Sequence, residues 1–164
     1  MAPVSIRQSS SPKTLDVIFK SKLPALMRDQ VEAVFFFNPQ QSQWATEIRR
    51  VVEQYGVPAI ESVGGEVALG LRGRERTQTL FAVSPHRPGV LEGVIIYGRF
   101  QYPEILVLHM ALAGLPPASA LGAQEAGGDL GFLCLIEAFS KLVKTLAGVK
   151  HLRFAYWDLA IPLS

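Results

Sequence analysis

His109 is the residue whose type and position most directly suggest chemistry, because its imidazole lies within an otherwise apolar run, Ile105 to Ala111. Histidine titrates near neutral pH and serves as an acid, a base or a metal ligand. Inside a buried strand, however, it must be hydrogen-bonded or charged. The other histidines, His86 and His151, lie on separate predicted elements, and no histidine–carboxylate cluster has the spacing of a zinc site. The pattern therefore favours a structural histidine and no bound metal.

Three arginines lie within five residues in the segment Arg72–Arg76. One interpretation is a solvated turn at the tip of a hairpin, and the other is a contact with a phosphate or an acidic partner. The formal net charge of the chain is only +2, which is too small to indicate a polyanionic partner by itself. Aromatic and basic residues also do not interleave as they do in an RNA-binding sheet. We therefore expect no nucleic-acid partner.

Cys134 is the only cysteine, which excludes an internal disulfide and a cysteine-rich metal site. It lies in a helical pattern between Leu133 and Leu135, where it is expected to be inert core rather than a nucleophile. The chain also has neither a nucleophile-elbow motif nor a Gly-Lys-Ser/Thr phosphate loop. The missing motifs and the expected core position of Cys134 argue against a hydrolase with a covalent intermediate. The single cysteine favours a reducing, cytoplasmic compartment.

The length of 164 residues suits one domain with one core. Residues 1–14 are expected to form a loose N-terminal arm, and residues 15–164 a single domain. The apolar fraction is 49% and the charged fraction 18%, which argues against disorder and suggests a homodimer interface. Because no apolar run reaches the length of a membrane span and no secretory signal is evident, we expect a soluble protein without a membrane partner.

The stretch Gly89–Ala113 predicts two long strands joined by a turn near Gln101-Tyr102-Pro103. Successive side chains of a strand point to opposite faces, and here both faces are apolar in both strands. Such strands must be covered on both sides. The pair is therefore predicted to lie in the middle of the sheet, under helices or other parts of the chain.

The flanking segments predict an α+β fold with a mixed, mainly antiparallel central sheet of about six strands and three helices. Residues Val34–Phe37 fit either the first helix or a buried strand. In chain order, the predicted elements are a strand at Leu15–Lys20, a helix at Pro24–Phe35, a helix at Gln40–Tyr55, a hairpin of Gly65–Leu71 with Thr77–Val83, the central pair, a long loop at Gly114–Gly128, a helix from Asp129 to just before Gly148, and a strand at Lys150–Asp158.

The loop before the last helix has the sequence Gln124-Glu125-Ala126-Gly127-Gly128-Asp129. Together with the order of the elements from residue 14 to 158, it resembles the GNAT family of N-acetyltransferases, which carry a Q/R-x-x-G-x-G/A motif at this place. Gln124 and Gly127 match the motif, whereas Asp129 stands where the family has glycine or alanine. A carboxylate there would occupy the N–H groups of the helix N-terminus and repel a phosphate.

The resemblance implies an acyl-CoA cofactor, lying where the last two long strands separate, and transfer of its acyl group to a small-molecule or peptide amine. It implies cofactor contacts from the loop and from the main chain of the second central strand, at Gln124, Gly127, Gly128, Leu108, His109, Met110 and Ala111. It further implies Glu104 as the general base and Tyr156 as the acid that protonates the leaving thiolate. As plain structural residues, Glu104 would be a solvated strand end and Tyr156 a core aromatic.

A second interpretation belongs to a different functional class. The chain would then be a catalytically inactive relative of that family, or another α+β domain, acting as an interaction or dimerisation module. Asp129 at the motif position and the high apolar content both favour this alternative.

Overall fold

The computed structural model describes residues 17–72, 76–113, 134–146, 148–157 and 160–163. Within these ranges the chain forms two β-sheets with helices packed on them, which confirms the predicted α+β class. The predicted arm, residues 1–14, and the predicted loop, residues 114–128, lie outside them. The strands in the described ranges are β1 (Ile18–Lys20), β2 (Leu23–Pro24), β3 (Pro58–Val63), β4 (Glu66–Leu71), β5 (Thr77–Val83), β6 (Leu91–Gln101), β7 (Glu104–Leu112), β8 (His151–Phe154) and β9 (Ala160–Pro162).

The larger sheet contains six strands in the order β9-β8-β7-β6-β5-β1. Its centre is the antiparallel pair β6 and β7, which runs from Gly93 opposite Leu112 to Gln101 opposite Glu104. The pair β7 and β8 is parallel, and the other neighbouring strands of this sheet are antiparallel. The predicted central pair is therefore confirmed in position and partner, and the sheet is mixed but mainly antiparallel.

The smaller sheet has the order β2-β4-β3, and it corrects one prediction. The predicted hairpin of Gly65–Leu71 with Thr77–Val83 is wrong, since β4 pairs with β3 while β5 pairs with β6 and β1. The β3–β4 hairpin closes through Gly64 and Gly65, whose φ angles are 55° and 83°. Two consecutive glycines accept the positive φ values of a tight hairpin turn.

Three helical segments pack on the large sheet within the described ranges. The first turns through Val34, so the alternative that Val34–Phe37 forms a strand is wrong. No helix in the described part of the chain is long and apolar enough to cross a membrane. The helices are α1 (Arg28–Val31), with a 3-10 turn before it (Ala25–Met27) and a π-helical turn after it (Glu32–Phe36), α2 (Ala45–Tyr55), preceded by a 3-10 turn (Pro39–Trp44), and α3, described over residues 134–143.

The core has one layer on each face of the large sheet, as predicted. On one face, Val31 and Val51 from α1 and α2 belong to the same buried cluster as Val94 and Ile96 of β6. On the other face, the buried cluster combines residues of α3 with alternate residues of the central strands, among them Leu135, Phe139, Val143, Ile95, Val107 and Met110. Both faces of β6 and β7 are thus covered, which explains their continuous apolar sequence.

Gly56 ends α2 with a φ of 110°, a conformation that side chains disfavour. A Cβ atom at this position would lie 2.7 Å from the carbonyl oxygen of Arg72. We therefore expect Gly56→Ala to lower the free energy of unfolding by about 2 kcal/mol in urea titrations. Gly70→Ala is the matched control, because no heavy atom lies within 4 Å of the added carbon there. Equal effects of the two substitutions would contradict this explanation.

Candidate functional site

The parallel strands β7 and β8 separate part-way along the sheet. They pair from Glu104 opposite His151 to Val107 opposite Phe154, and the Ala155 N–H donates the last bond to the Val107 carbonyl at 2.8 Å. Beyond this point β8 has ended, whereas β7 continues to Leu112. The backbone stretch 108–111, which the resemblance assigns to the cofactor, lies in this continuing part. We call the place where the two strands separate the fork.

Two side-chain amides cover the main chain of β7 beyond the fork. Gln41 Nε2 donates to the Met110 carbonyl at 3.3 Å, and Asn38 Nδ2 donates to the Leu112 carbonyl at 2.7 Å. Both amides are buried, and they satisfy β7 carbonyls on the edge that β8 leaves uncovered within the described residues. At Met110, one of the predicted cofactor contacts, the carbonyl is therefore already hydrogen-bonded within the chain.

His109 and Tyr156 meet at the fork, with His109 Nδ1 and the Tyr156 hydroxyl oxygen 2.9 Å apart. Burial lowers the pKa of His109 to about 4 and raises the pKa of Tyr156, so both are neutral at physiological pH. Hydrogen bonds from the Met110 backbone and the Gln41 side chain oppose the shift at Tyr156 by stabilising its phenolate. His109 and Tyr156 share one hydrogen bond, and which of them donates it depends on the tautomer of the imidazole.

Aromatic rings fill the space around this pair. Trp44 stacks on Tyr156 with ring centroids 5.8 Å apart, and Trp157 meets Trp44 edge-on at 5.0 Å. Phe35 packs edge-on against His109 at 5.6 Å. His109 Nε2 is buried and has no hydrogen-bond partner among the residues that the structure describes. The fork is therefore a packed cluster of neutral polar groups and aromatic rings, with Tyr156 in the core.

Glu104 lies at the other end of β7. Its Oε1 atom lies 3.1 Å from His151 Nε2, and its Oε2 atom accepts a hydrogen bond from Arg153 Nε at 2.9 Å. Five residues separate Glu104 from His109, which is roughly 17 Å along a strand. The structure therefore brings Tyr156 together with His109 but not with Glu104, so the two predicted catalytic groups do not face one reacting atom.

The predicted cofactor loop cannot be placed against these elements. Gln124, Gly127 and Gly128, together with Asp129, lie outside the described residues. The last helix is described only from residue 134 onwards, so the pyrophosphate contacts implied by the resemblance stay a prediction.

A cavity of about 440 Å³ lies on the α3 side of the large sheet. Its lining residues come from the segment just before β5, from β5 and β6, and from the chain after α3. They are Arg76, Gln78, Tyr97, Arg99 and Leu146. We call this cavity the arginine cleft. Among the five described residues that line it, two carry a positive charge and none carries a carboxylate.

The pairing of β5 with β6 positions the polar groups of the arginine cleft. Gln78 lies opposite Tyr97, and the Tyr97 hydroxyl donates to Gln78 Oε1 at 2.7 Å. The Tyr97 ring packs on Phe139 of α3 with centroids 5.1 Å apart, which fixes the phenol at the cleft floor. Burial raises the pKa of Tyr97, and the positive charge of Arg99 acts in the opposite direction. The guanidinium of Arg99 is thus close enough to act on a group inside the cleft.

The sequence identified only part of the arginine cleft. The phosphate-contact interpretation of Arg72–Arg76 included Arg76, whereas Gln78, Tyr97 and Arg99 were not recognised as a site. A signal was present, because Tyr97 and Arg99 are two residues apart and so face the same side of a strand. Arg76 was assigned to a turn between Gly65–Leu71 and Thr77–Val83, so its proximity to Arg99 was not recognised.

No family model, curated protein or solved structure matches this chain. Within the described ranges, no group of three or more His, Cys, Asp or Glu side chains is arranged to hold a metal ion. The function is therefore inferred from the geometry of the fork and of the arginine cleft.

Proposed function

We propose that the protein is a ligand-binding α+β domain whose arginine cleft binds a small molecule carrying a phosphate or carboxylate group. The observation that carries this proposal is the convergence of Arg76 and Arg99 on one cavity of about 440 Å³. This volume lies within the range of small-molecule sites, roughly 300–1000 Å³. Guanidinium groups suit both anions, since they donate paired hydrogen bonds in a fixed plane.

The strand register strengthens the case for an anion. The pairing of β5 with β6 begins at Thr77 opposite Gly98. Arg76 precedes Thr77 and Arg99 follows Gly98, so the antiparallel register brings these two residues to the same end of the strand pair. Like charges on neighbouring positions of adjacent strands destabilise a sheet. A bound anion would relieve this repulsion, and Gln78 and Tyr97 would supply neutral hydrogen-bonding groups next to it. Leu146 adds an apolar wall for the rest of the ligand.

Calorimetric titration with pyrophosphate and with citrate tests the proposal and distinguishes the two anions. We expect one of them to bind the wild-type protein, and Arg99→Ala to weaken that binding by at least about tenfold, because a charged hydrogen bond is lost. Arg49→Ala is the matched control, since Arg49 is an exposed arginine on α2 and does not line the cleft. Absence of binding by both anions, or an equal loss in the two variants, would overturn the proposal.

A second candidate function is acyl-CoA-dependent N-acyl transfer at the fork. The observation that favours it is the end of the parallel β7–β8 ladder at Val107, beyond which no described strand pairs with residues 108–112 of β7 on that side. Tyr156 would be the proton donor there. A ligand at this edge has to displace the amide of Gln41 from the Met110 carbonyl. Stabilisation by acetyl-CoA that persists in Arg99→Ala would support this candidate over the arginine cleft.

A further inference from the structure

A second cavity of about 160 Å³ adjoins the arginine cleft. Arg99 lines both cavities, so the two spaces share one residue. The second cavity lies at the tip of the β6–β7 hairpin, against the segment that leads into β8. Its lining residues are Arg99, Phe100, Gln101, Tyr102, Pro103, Glu104, Gly148 and Val149. We call it the tip cavity.

Tyr102 is an exposed aromatic residue that is nevertheless held in place. Its side chain is 79% exposed, although a phenol ring usually buries much of its area. The ring lies over Gly148, where an added Cβ would be 3.0 Å from Cε1 of the tyrosine. The Lys150 N–H donates to the Pro103 carbonyl at 2.8 Å and fastens the hairpin tip to the same segment. The tip therefore presents the aromatic ring at the edge of a cavity.

The two cavities differ in charge. The described lining of the arginine cleft has two cations, Arg76 and Arg99, whereas that of the tip cavity combines Arg99 with Glu104. Arg153 and His151 hold the Glu104 carboxylate. An anionic group is therefore favoured more at the Arg76 end, where two cations meet, than at the Glu104 end, where a carboxylate is present. Each carboxylate oxygen has more than one lone pair, so Glu104 retains capacity to accept from an amino group. A ligand would therefore lie with its anionic group toward Arg76 and a hydrogen-bond donor toward Glu104.

We infer that the ligand is a nucleotide-like molecule, with its phosphate between Arg76 and Arg99 and its aromatic ring stacked on Tyr102. This inference rests on the proposed anion-binding function of the arginine cleft and specifies the class of ligand. Every nucleobase has a flat face that stacks on an aromatic side chain. An amino-bearing base such as adenine also matches the carboxylate acceptor at Glu104.

Titration of the full chain with AMP and with ribose 5-phosphate separates the base from the phosphate. We expect AMP to bind more tightly than ribose 5-phosphate. Tyr102→Ala should weaken AMP binding by about tenfold while leaving ribose 5-phosphate unchanged. Arg99→Ala should weaken both ligands. Phe37→Ala is the matched control, because Phe37 is 76% exposed and lines neither cavity.

The possible failures are distinguishable. If ribose 5-phosphate binds through Arg99 but AMP binds no more tightly, the nucleotide inference is overturned while the anion site stands. If AMP binds equally to the wild-type protein and to Tyr102→Ala, stacking on the hairpin tip is overturned. If neither ligand binds, and pyrophosphate and citrate also fail, the proposed function falls together with this inference. Tyr102→Phe, which keeps the ring, should retain the wild-type preference for AMP.

Discussion

Replacing Asn38 by alanine is expected to lower the free energy of unfolding by about 3 kcal/mol. Asn38 Nδ2 donates to the carbonyls of Leu112 at 2.7 Å and Val34 at 2.9 Å, and its Oδ1 accepts from the Gln40 N–H at 3.0 Å. The residue is 8% exposed, so water has little access to the groups that would lose their partner. Urea unfolding followed by tryptophan fluorescence measures the loss.

Two further variants isolate the role of the amide group. Gln43→Ala removes an exposed amide of the same segment, whose Nε2 donates to Gln40, and should change stability by less than about 0.5 kcal/mol. Asn38→Asp keeps the acceptor for the Gln40 N–H but turns a carboxylate oxygen toward two carbonyls. It should be at least as destabilising as alanine at neutral pH. An alanine variant as stable as the wild type would show that this amide does not hold the β7 edge.

The Asn38 and Gln41 bonds also set a cost for any ligand at the fork. Main-chain groups of β7 can pair with a bound molecule only after the chain's own amide donors have moved away. Part of the binding energy would then be used to break buried hydrogen bonds. The arginine cleft carries no such cost, because its cavity is already open. This difference is the physical reason for ranking the cleft above the fork.

The sequence predicted the central strands correctly because their signal is local. Most side chains on both faces of Leu91–Gln101 and Glu104–Leu112 are apolar, so each strand must be covered on both sides. This pattern is visible within each segment and does not depend on distant residues. The signal for the helix at Ala45–Tyr55 is equally local, since the apolar stripe of the helix and the glycine that ends it lie within one segment. The strand β3 was missed because it begins at Pro58 and its residues, PAIESV, do not alternate between apolar and polar.

The fork and the arginine cleft were harder to predict because they depend on contacts between distant residues. No local pattern marks Asn38 as a partner of β7, because its bond to Leu112 spans 74 positions of the chain. Likewise, Arg76 and Arg99 become neighbours only when β5 pairs with β6. The pairing of His109 with Tyr156 was hard to predict for the same reason. A histidine in an apolar strand is expected to be hydrogen-bonded, but the sequence does not indicate its partner.

Acidification is expected to destabilise the protein through His109. Its pKa is about 6.5 in an unfolded chain and about 4 in the folded protein, because burial favours the neutral imidazole. The unfolded state therefore binds a proton that the folded state does not. The contribution of neutral His109 to the free energy of unfolding is fully present above pH 6.5 and decreases as the pH falls toward 4. At pH 4.5 the expected loss relative to pH 7 is about 2 kcal/mol.

Comparison with a variant removes the contribution of the carboxylates that titrate in the same range. His109→Gln cannot gain a proton, so the stability difference between wild type and variant should shrink by about 2 kcal/mol from pH 7 to pH 4.5. Parallel profiles for the wild type and His109→Gln would mean that the imidazole is already solvated in the folded protein. The His109–Tyr156 pair would then be accessible to water, and this result would favour the fork as a ligand-binding site.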